Sequence, residues 1–243
     1  MVGEPPPESR PGIGAESCVH AVVPAAGRGE RFGGEIPKQF LEVGGRPLLA
    51  WTIERLLGAG CRSVTIAVPA EELASVAARW EGMRAIRFVA GGATRQASVA
   101  EALAASPAAA DELVAVHDGA RAAFDPADFG ATVAAARTTG GAVLGRLASD
   151  TMKEIEAGRI VRTMDRRRLF RAETPQIFRR SLLESALEAA RRDCYVGTDE
   201  AALVERLGSI EIVAVEARRP NPKVTFAEDF PHVASLLLAE ASR

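Results

Sequence analysis

The sequence predicts an α/β protein with a Rossmann-like, mostly parallel sheet flanked by helices and carrying an inserted β-arm. Short apolar, β-branched runs alternate with longer segments whose apolar residues recur at helical spacing, the rhythm of right-handed βαβ units. Hydrophobic residues make up 47% of the 243-residue chain and aromatics only 5%, so the core has to be Ala, Val and Leu packed between helices and a buried sheet. The rhythm breaks once, at Asp150, where the chain turns polar, basic and partly alternating.

Taken in order, Val19–Pro24 reads as the first strand, ending in Gly-rich sequence. Pro47–Leu57 has helical spacing and stops near Gly58 and Gly60. Ser63–Val68 is the next expected strand, Glu71–Trp80 a helix and Ala85–Val89 a strand. Gln96–Ala105 is helical, Leu113–His117 a strand, Pro126–Arg137 a helix and Ala142–Leu147 a strand. From Thr151 to Arg171 the alternation suits a hairpin turning at Ala157-Gly158. Helices follow at Arg179–Arg191 and Asp199–Leu207, then a strand at Ile210–Val215 and a last helix from Glu228. This is one domain over residues 18–243, with an arm at about 150–171 and no repeats or linker. Residues 1–17 are rich in Pro, Gly and Glu, without a basic start or an apolar run, and read as a disordered tail rather than a secretory signal.

A formal net charge of -2 leaves no global basic field for nucleic acid or an anionic membrane, so an anionic substrate must meet local cations. Cys18, Cys61 and Cys194 are far apart and form no CxxC pair, which argues against a disulfide framework or zinc site and for a reducing, cytoplasmic location. No run reaches transmembrane length.

The most informative stretch is Val22-Val23-Pro24-Ala25-Ala26-Gly27-Arg28-Gly29-Glu30-Arg31-Phe32, followed by Pro37-Lys38-Gln39. A Gly-rich turn after a strand lets backbone N–H groups approach phosphate oxygens, because no Cβ intervenes. The dinucleotide fingerprint fails, since Phe32 stands where it wants a third Gly, and no Lys-Ser/Thr follows the last Gly as a P-loop requires. What remains is a longer loop with Arg31 and Lys38. That pattern suits a nucleoside triphosphate attacked at its α-phosphorus, where fixed cations stabilise the crowded negative charge of the transition state. The competing reading is a surface loop with solvated charges.

Ala25-Ala26-Gly27-x-Gly29-x-Arg31 followed by Pro37-Lys38-Gln39 resembles the signature loop of the 2-C-methyl-D-erythritol 4-phosphate cytidylyltransferases of the non-mevalonate isoprenoid pathway. The resemblance continues through Gly91-Gly92-Ala93-Thr94-Arg95-Gln96-Ala97-Ser98-Val99, Val116-His117-Asp118-Gly119-Ala120-Arg121, Asp150-Thr151-Met152-Lys153 and Asp165-Arg166. Thr174-Pro175-Gln176-Ile177-Phe178, Thr198-Asp199-Glu200-Ala201 and Asn221-Pro222-Lys223-Val224-Thr225 complete it in family order. Ala93, Gly119, Ala122 and Pro222 depart from the usual pattern.

The resemblance implies transfer of CMP from CTP to a phosphorylated polyol, with Arg31 and Lys38 stabilising the transition state. It implies CTP contacts from Ala25, Ala26, Gly27, Gly29, Gly91, Gly92, Ser98 and Asp118. Acceptor positioning falls to Arg121, Thr151, Arg166, Thr174, Thr198 and Lys223. It also implies a homodimer that exchanges arms, bringing Thr151 and Arg166 to the partner's site. Read from the residues alone, Gly91-Gly92 with Ser98 is either a pyrimidine-sized cytosine pocket or a plain turn and helix start. Asp118 ends a parallel strand, where open α/β sheets place their ligands, and is expected to organise Mg²⁺ on the triphosphate or contact a sugar hydroxyl. His117 reads as a packed histidine bonded to backbone. Arg162, Arg166, Arg167, Arg168 and Arg171 form a basic run with only Phe170 for stacking, which disfavours single-strand binding. The alternatives are a sister enzyme acting on ribitol 5-phosphate and a nucleotide-binding regulatory protein that has lost catalysis.

Overall fold

A computed structural model of the protein describes residues 18–27, 29, 32, 33 and 36–241. The expected tail, residues 1–17, lies outside them, as does Arg31. The chain runs through β1 (Val19–Pro24), a 3-10 turn (Lys38–Phe40), the short pair β2 (Glu42–Val43) and β3 (Arg46–Pro47), and α1 (Leu48–Gly58). There follow β4 (Ser63–Val68), α2 (Leu73–Ala78), β5 (Ile86–Ala90), α3 (Arg95–Ala105), β6 (Leu113–Val116), α4 (Pro126–Thr139) and β7 (Gly141–Leu147). The remainder is β8 (Lys153–Glu156), β9 (Arg159–Thr163), β10 (Phe170–Arg179), α5 (Arg180–Arg192), α6 (Glu200–Glu205), β11 (Val213–Glu216) and α7 (Asp229–Ala241).

Seven strands form one sheet in the order β11-β7-β10-β6-β1-β4-β5. Its neighbours pair in parallel except at β10, which lies antiparallel between β6 and β7. The two faces bury different helices. Val19, Ala21 and Val23 of β1 pack with Leu49, Ile53 and Leu56 of α1 and Phe129 and Val133 of α4. Val22, on the other face, packs with Val99 and Leu103 of α3 and with α5 and α6 through Leu183 and Leu203. A third cluster ties α7 (Val233, Leu237) to Leu48, Ala122 and Val224. The helices start where their sequences supply caps: Thr94, Asp125 and Asp199 each accept a bond from an amide of the first turn of α3, α4 and α6.

From β1 the chain first builds toward one edge, through β4 and β5, and then places β6 on the other side of β1. The loops leaving β1 and β6 therefore diverge, and the crevice between them is where open α/β sheets bind ligands.

Three elements differ from the expected order. Residues 172–178, to which the sequence reading assigns no element, belong to β10, a ten-residue strand inside the sheet. Its polar sequence and Pro175, which has no N–H for the ladder, hid it, and pairing changes register between Ala172 and Gln176. The helix expected at Glu71–Trp80 is a 3-10 turn at Ala70–Glu72 plus a short α2 that buries only Val76. β11 starts later than expected, at Val213, because it is an edge strand with one half-buried face. The expected arm is the hairpin β8–β9, turning at Ala157 (φ 46°) and Gly158 (φ 77°), the two positive values such a two-residue turn requires.

Candidate active site

β1 ends at Pro24, and the chain passes into the Gly-rich loop, with the Ala25 amide donating to the Ala67 carbonyl of β4 at 2.8 Å. The buried Gln39 holds the loop from behind, its Nε2 donating to the carbonyls of Ala25 (2.7 Å) and Gly27 (3.2 Å). The same 3-10 turn carries Lys38, so the cation and the loop share one support. Opposite, Gly91 lets the chain after β5 close on this loop: a Cβ there would stand 2.2 Å from the Ala26 Cβ. Between these walls is a cavity of about 680 Å³, lined by Ala25, Ala26, Gly27, Gly29, Lys38, Gly92, Ser98, Asp118 and Lys223, among others.

Across its floor runs a chain of charges. Arg95 of α3 donates from both terminal nitrogens to the buried Glu200 of α6 (2.7 and 3.0 Å) and from Nε to Asp118 Oδ1 (3.1 Å). Lys223 Nζ donates to Asp118 Oδ2 at 2.7 Å, and Arg121 Nε lies 3.6 Å from the same oxygen. Burial pushes the Asp118 carboxyl up, but Arg95 and Lys223 overcome it and hold the group well below the usual carboxylate range. Burial likewise opposes charge on Arg95, and Glu200 and Asp118 outweigh it and raise its pKa. Burial raises Glu200, with Arg95 acting in the opposite sense. Two carboxylates thus fix the cations in place before any ligand arrives, which is preorganisation of the kind that stabilises developing phosphate charge.

A second cavity, about 290 Å³, is lined by Arg121, Arg171, Glu173, Pro220, Asn221, Pro222 and Lys223. Lys223 lines both cavities. Asn221 braces the junction, donating from Nδ2 to the Thr174 carbonyl (2.7 Å) and accepting from Arg121 through its own carbonyl (2.6 Å). A large cavity under a Gly-rich loop and a small basic one, joined at a lysine, suit a nucleotide and a second anionic substrate.

The profile of the 2-C-methyl-D-erythritol 4-phosphate cytidylyltransferase family (IspD) matches residues 19–240. The chain belongs to this family. Among its relatives is the enzyme of that name from Cereibacter sphaeroides, 40% identical over 228 residues, covering 91% of this chain and 97% of the relative. Another, from Syntrophotalea carbinolica, is 38% identical and covers 92% and 95%. The crystal structure of the Thermus thermophilus enzyme superposes with a TM-score of 0.74 at 34% identity, covering 91% of this chain and 99% of that one.

The cytidylyltransferase fold brings most of the expected residues to one crevice, with instructive exceptions. Ala25, Ala26, Gly27, Gly29, Lys38, Gly92, Ser98, Asp118 and Lys223 line the large cavity and Arg121 the small one. Gly91 sits behind the wall, against Ala26. Thr174 is buried, its Oγ1 accepting from the Asp118 amide at 3.1 Å, so it steadies the loop after β6. Thr198 is exposed and, like Thr151 and Arg166 on the arm, lines neither cavity. Arg166 donates to the Ser149 carbonyl (2.7 Å). His117 is a packed histidine as expected: fully buried, with Nε2 bonded to the Arg121 carbonyl (2.9 Å) and its pKa pushed by burial down to about 4. Single motifs give no role to Arg95, Glu200 or Gln39, although all three fall inside the segments that resemble the family.

Asp118 is the single acidic side chain among the described residues lining the large cavity, so it is the group that would meet a Mg²⁺ ion carried on a triphosphate. Its oxygens each accept a hydrogen bond from a cation, Oδ1 from Arg95 and Oδ2 from Lys223, and among the described residues no group of three or more His, Cys, Asp or Glu comes together.

Proposed function

We infer that the protein transfers CMP from CTP to 2-C-methyl-D-erythritol 4-phosphate, giving 4-diphosphocytidyl-2-C-methyl-D-erythritol and pyrophosphate. The observation that carries this reading, within the family, is the pair of cavities meeting at Lys223. CTP occupies the large cavity, its phosphates against the Gly-rich loop and its cytosine toward Gly92 and Ser98. An oxygen of the acceptor phosphate attacks the α-phosphorus, the bond to the bridging oxygen breaks, and pyrophosphate leaves with that electron pair. Lys38 and Arg31 offset the charge that builds at phosphorus; Lys223, held by Asp118, orients the acceptor phosphate with Arg121. No general base is needed, because the attacking phosphate is already ionised near neutral pH, and catalysis reduces to positioning and charge. Mg²⁺ enters with the substrate, as the Mg·CTP complex, in which phosphate oxygens and waters supply most of its ligands.

Residues 18–243 act as one nucleotidyltransferase domain. The arm serves a homodimer: Ile155, Ile160 and Val161 of the hairpin are more than half exposed, an apolar surface that a two-fold partner would cover, delivering Thr151 and Arg166 to the partner's site. Three free cysteines support a cytoplasmic location, and the net charge of -2 leaves nucleic acid and membranes without a claim on the protein. No helix among the described residues is long and apolar enough to cross a membrane. Pyrophosphate release, measured with each nucleoside triphosphate against a panel of polyol phosphates that includes ribitol 5-phosphate, tests the reading. CTP with methylerythritol phosphate should turn over best; equal turnover with ATP, or a preference for ribitol phosphate, would refute it.

A further inference from the structure

The small cavity holds a set of polar atoms that the fold leaves unsatisfied. Glu173 is 4% exposed; its Oε1 accepts from Arg171 at 3.1 Å, and its Oε2 is buried without a hydrogen-bond partner. Asn221 is 2% exposed, and its Oδ1 is likewise buried and unpartnered, the amide being fixed the other way round by Nδ2 donating to Thr174. Arg121 Nε makes no hydrogen bond either. Buried polar atoms are nearly always paired, and an orphan carboxyl oxygen is among the costlier exceptions. Arg121 Nε still faces Asp118 Oδ2 at 3.6 Å, but the two oxygens are acceptors with no donor, both on residues that line one cavity, and they ask for a ligand that donates hydrogen bonds. Phosphate alone does not answer: it suits Arg121 and Lys223, but its oxygens repel Glu173 and offer Asn221 Oδ1 nothing.

The geometry points to Glu173 and Asn221 as the residues that select the acceptor by its hydroxyl groups. The assignment rests on the transferase reading and deepens it. The acceptor's phosphate end lies toward Lys223, where the two cavities meet, and its polyol end runs into the small cavity. Both oxygens are sealed from solvent in the free protein, so seating the acceptor turns them toward the cavity, where one hydroxyl donates to Glu173 Oε2 and another to Asn221 Oδ1. Arg171, whose side chain is 71% exposed, holds the other Glu173 oxygen. A site built on buried acceptors rejects an analogue lacking the matching hydroxyl, because the acceptor is then left unpaired in a shielded place.

The test compares wild type with Glu173→Gln and Glu173→Leu, measuring pyrophosphate release from CTP with methylerythritol phosphate and with its analogues lacking one hydroxyl at a time. With wild type, removal of one particular hydroxyl should cost about 10- to 100-fold in kcat/KM, the worth of a hydrogen bond to a charged group. Glu173→Leu should lose a similar factor on the full acceptor and little more on that analogue, Glu173→Gln, which keeps an acceptor oxygen but no charge, should lose less, and KM for CTP should stay within about twofold in both. The deoxy series on wild type needs no variant to fold. If no hydroxyl deletion costs wild type anything, or if the variants keep the wild-type penalty for every analogue, the assignment is overturned. If wild type releases no pyrophosphate with any acceptor, the transferase reading falls and takes this assignment with it; turnover without hydroxyl selectivity removes the assignment alone.

Discussion

Asp118 gathers three cations, and only one of the three contacts is between residues close in sequence. Arg121 lies one turn away, whereas Arg95 and Lys223 come from α3 and from the loop after β11. The strand-end position of Asp118 was legible because it follows an apolar β-run. That Arg95 would face both Asp118 and Glu200 was not, since Glu200 is 105 residues further on and no spacing rule links the two. Lys38 is simpler, because its loop and turn are local sequence. Lys38→Ala should lower kcat by about 100-fold or more, the usual cost of losing a transition-state charge stabiliser. Melting temperature should move little, since the residue is half-buried on a short 3-10 turn outside the apolar core; a variant with unchanged kcat would remove Lys38 from the mechanism. His117 sets a different expectation. Its folded pKa is about 4 against 6.5 in the unfolded chain, so the unfolded state takes up the proton first. The stability tied to neutral His117 is therefore fully present above about pH 6.5 and lost as pH falls toward 4, in all by about 3 kcal/mol. Urea unfolding followed across that range should show the loss, and His117→Gln should flatten it; an equally steep profile in the variant would assign the effect elsewhere.

At the scale of elements, the parallel strands and their crossover helices were readable because each carries a single pattern from end to end. β10 was not, because its middle is Glu173-Thr174-Pro175-Gln176, polar side chains and a proline that belong to the site rather than to a strand. The fold spends part of a central strand on function there, and a sequence rule for strands misses it for that reason. The arm was legible through its turn, yet its purpose is not within one chain: an isolated hairpin is marginally stable in water, and this one exposes Ile155 and Ile160. Exchange of arms makes a definite prediction. Lys38→Ala and Arg166→Ala homodimers should each be inactive. In their mixed dimer one site carries both substitutions and the other neither, so equal re-mixing should restore about a quarter of wild-type sites, as closed two-fold symmetry requires. Verified subunit exchange without recovered activity would show that Arg166 does not act across the dimer.

On the scale of the whole molecule, sheet order decides where chemistry happens. Because β4 and β6 flank β1 on opposite sides, the loops after β1 and β6 open a crevice. The Gly-rich loop and Asp118 meet there although 90 residues of chain lie between Gly27 and Asp118. The acceptor side is assembled differently, from β10 and the chain after β11, which pack beside β6 and β7. Nucleotide and acceptor are thus held by separate parts of the fold that share Lys223, and the reaction happens across that junction. The central claim is that an acceptor phosphate oxygen attacks the α-phosphorus of CTP. It is tested most directly by supplying methylerythritol phosphate labelled with ¹⁸O in its phosphate and following the label by mass spectrometry and phosphorus NMR. All of the label should appear in the cytidine diphosphate-linked product, including the bridging oxygen, with unlabelled pyrophosphate released. Label in the pyrophosphate, release of CMP, or no nucleotide-linked product would contradict it.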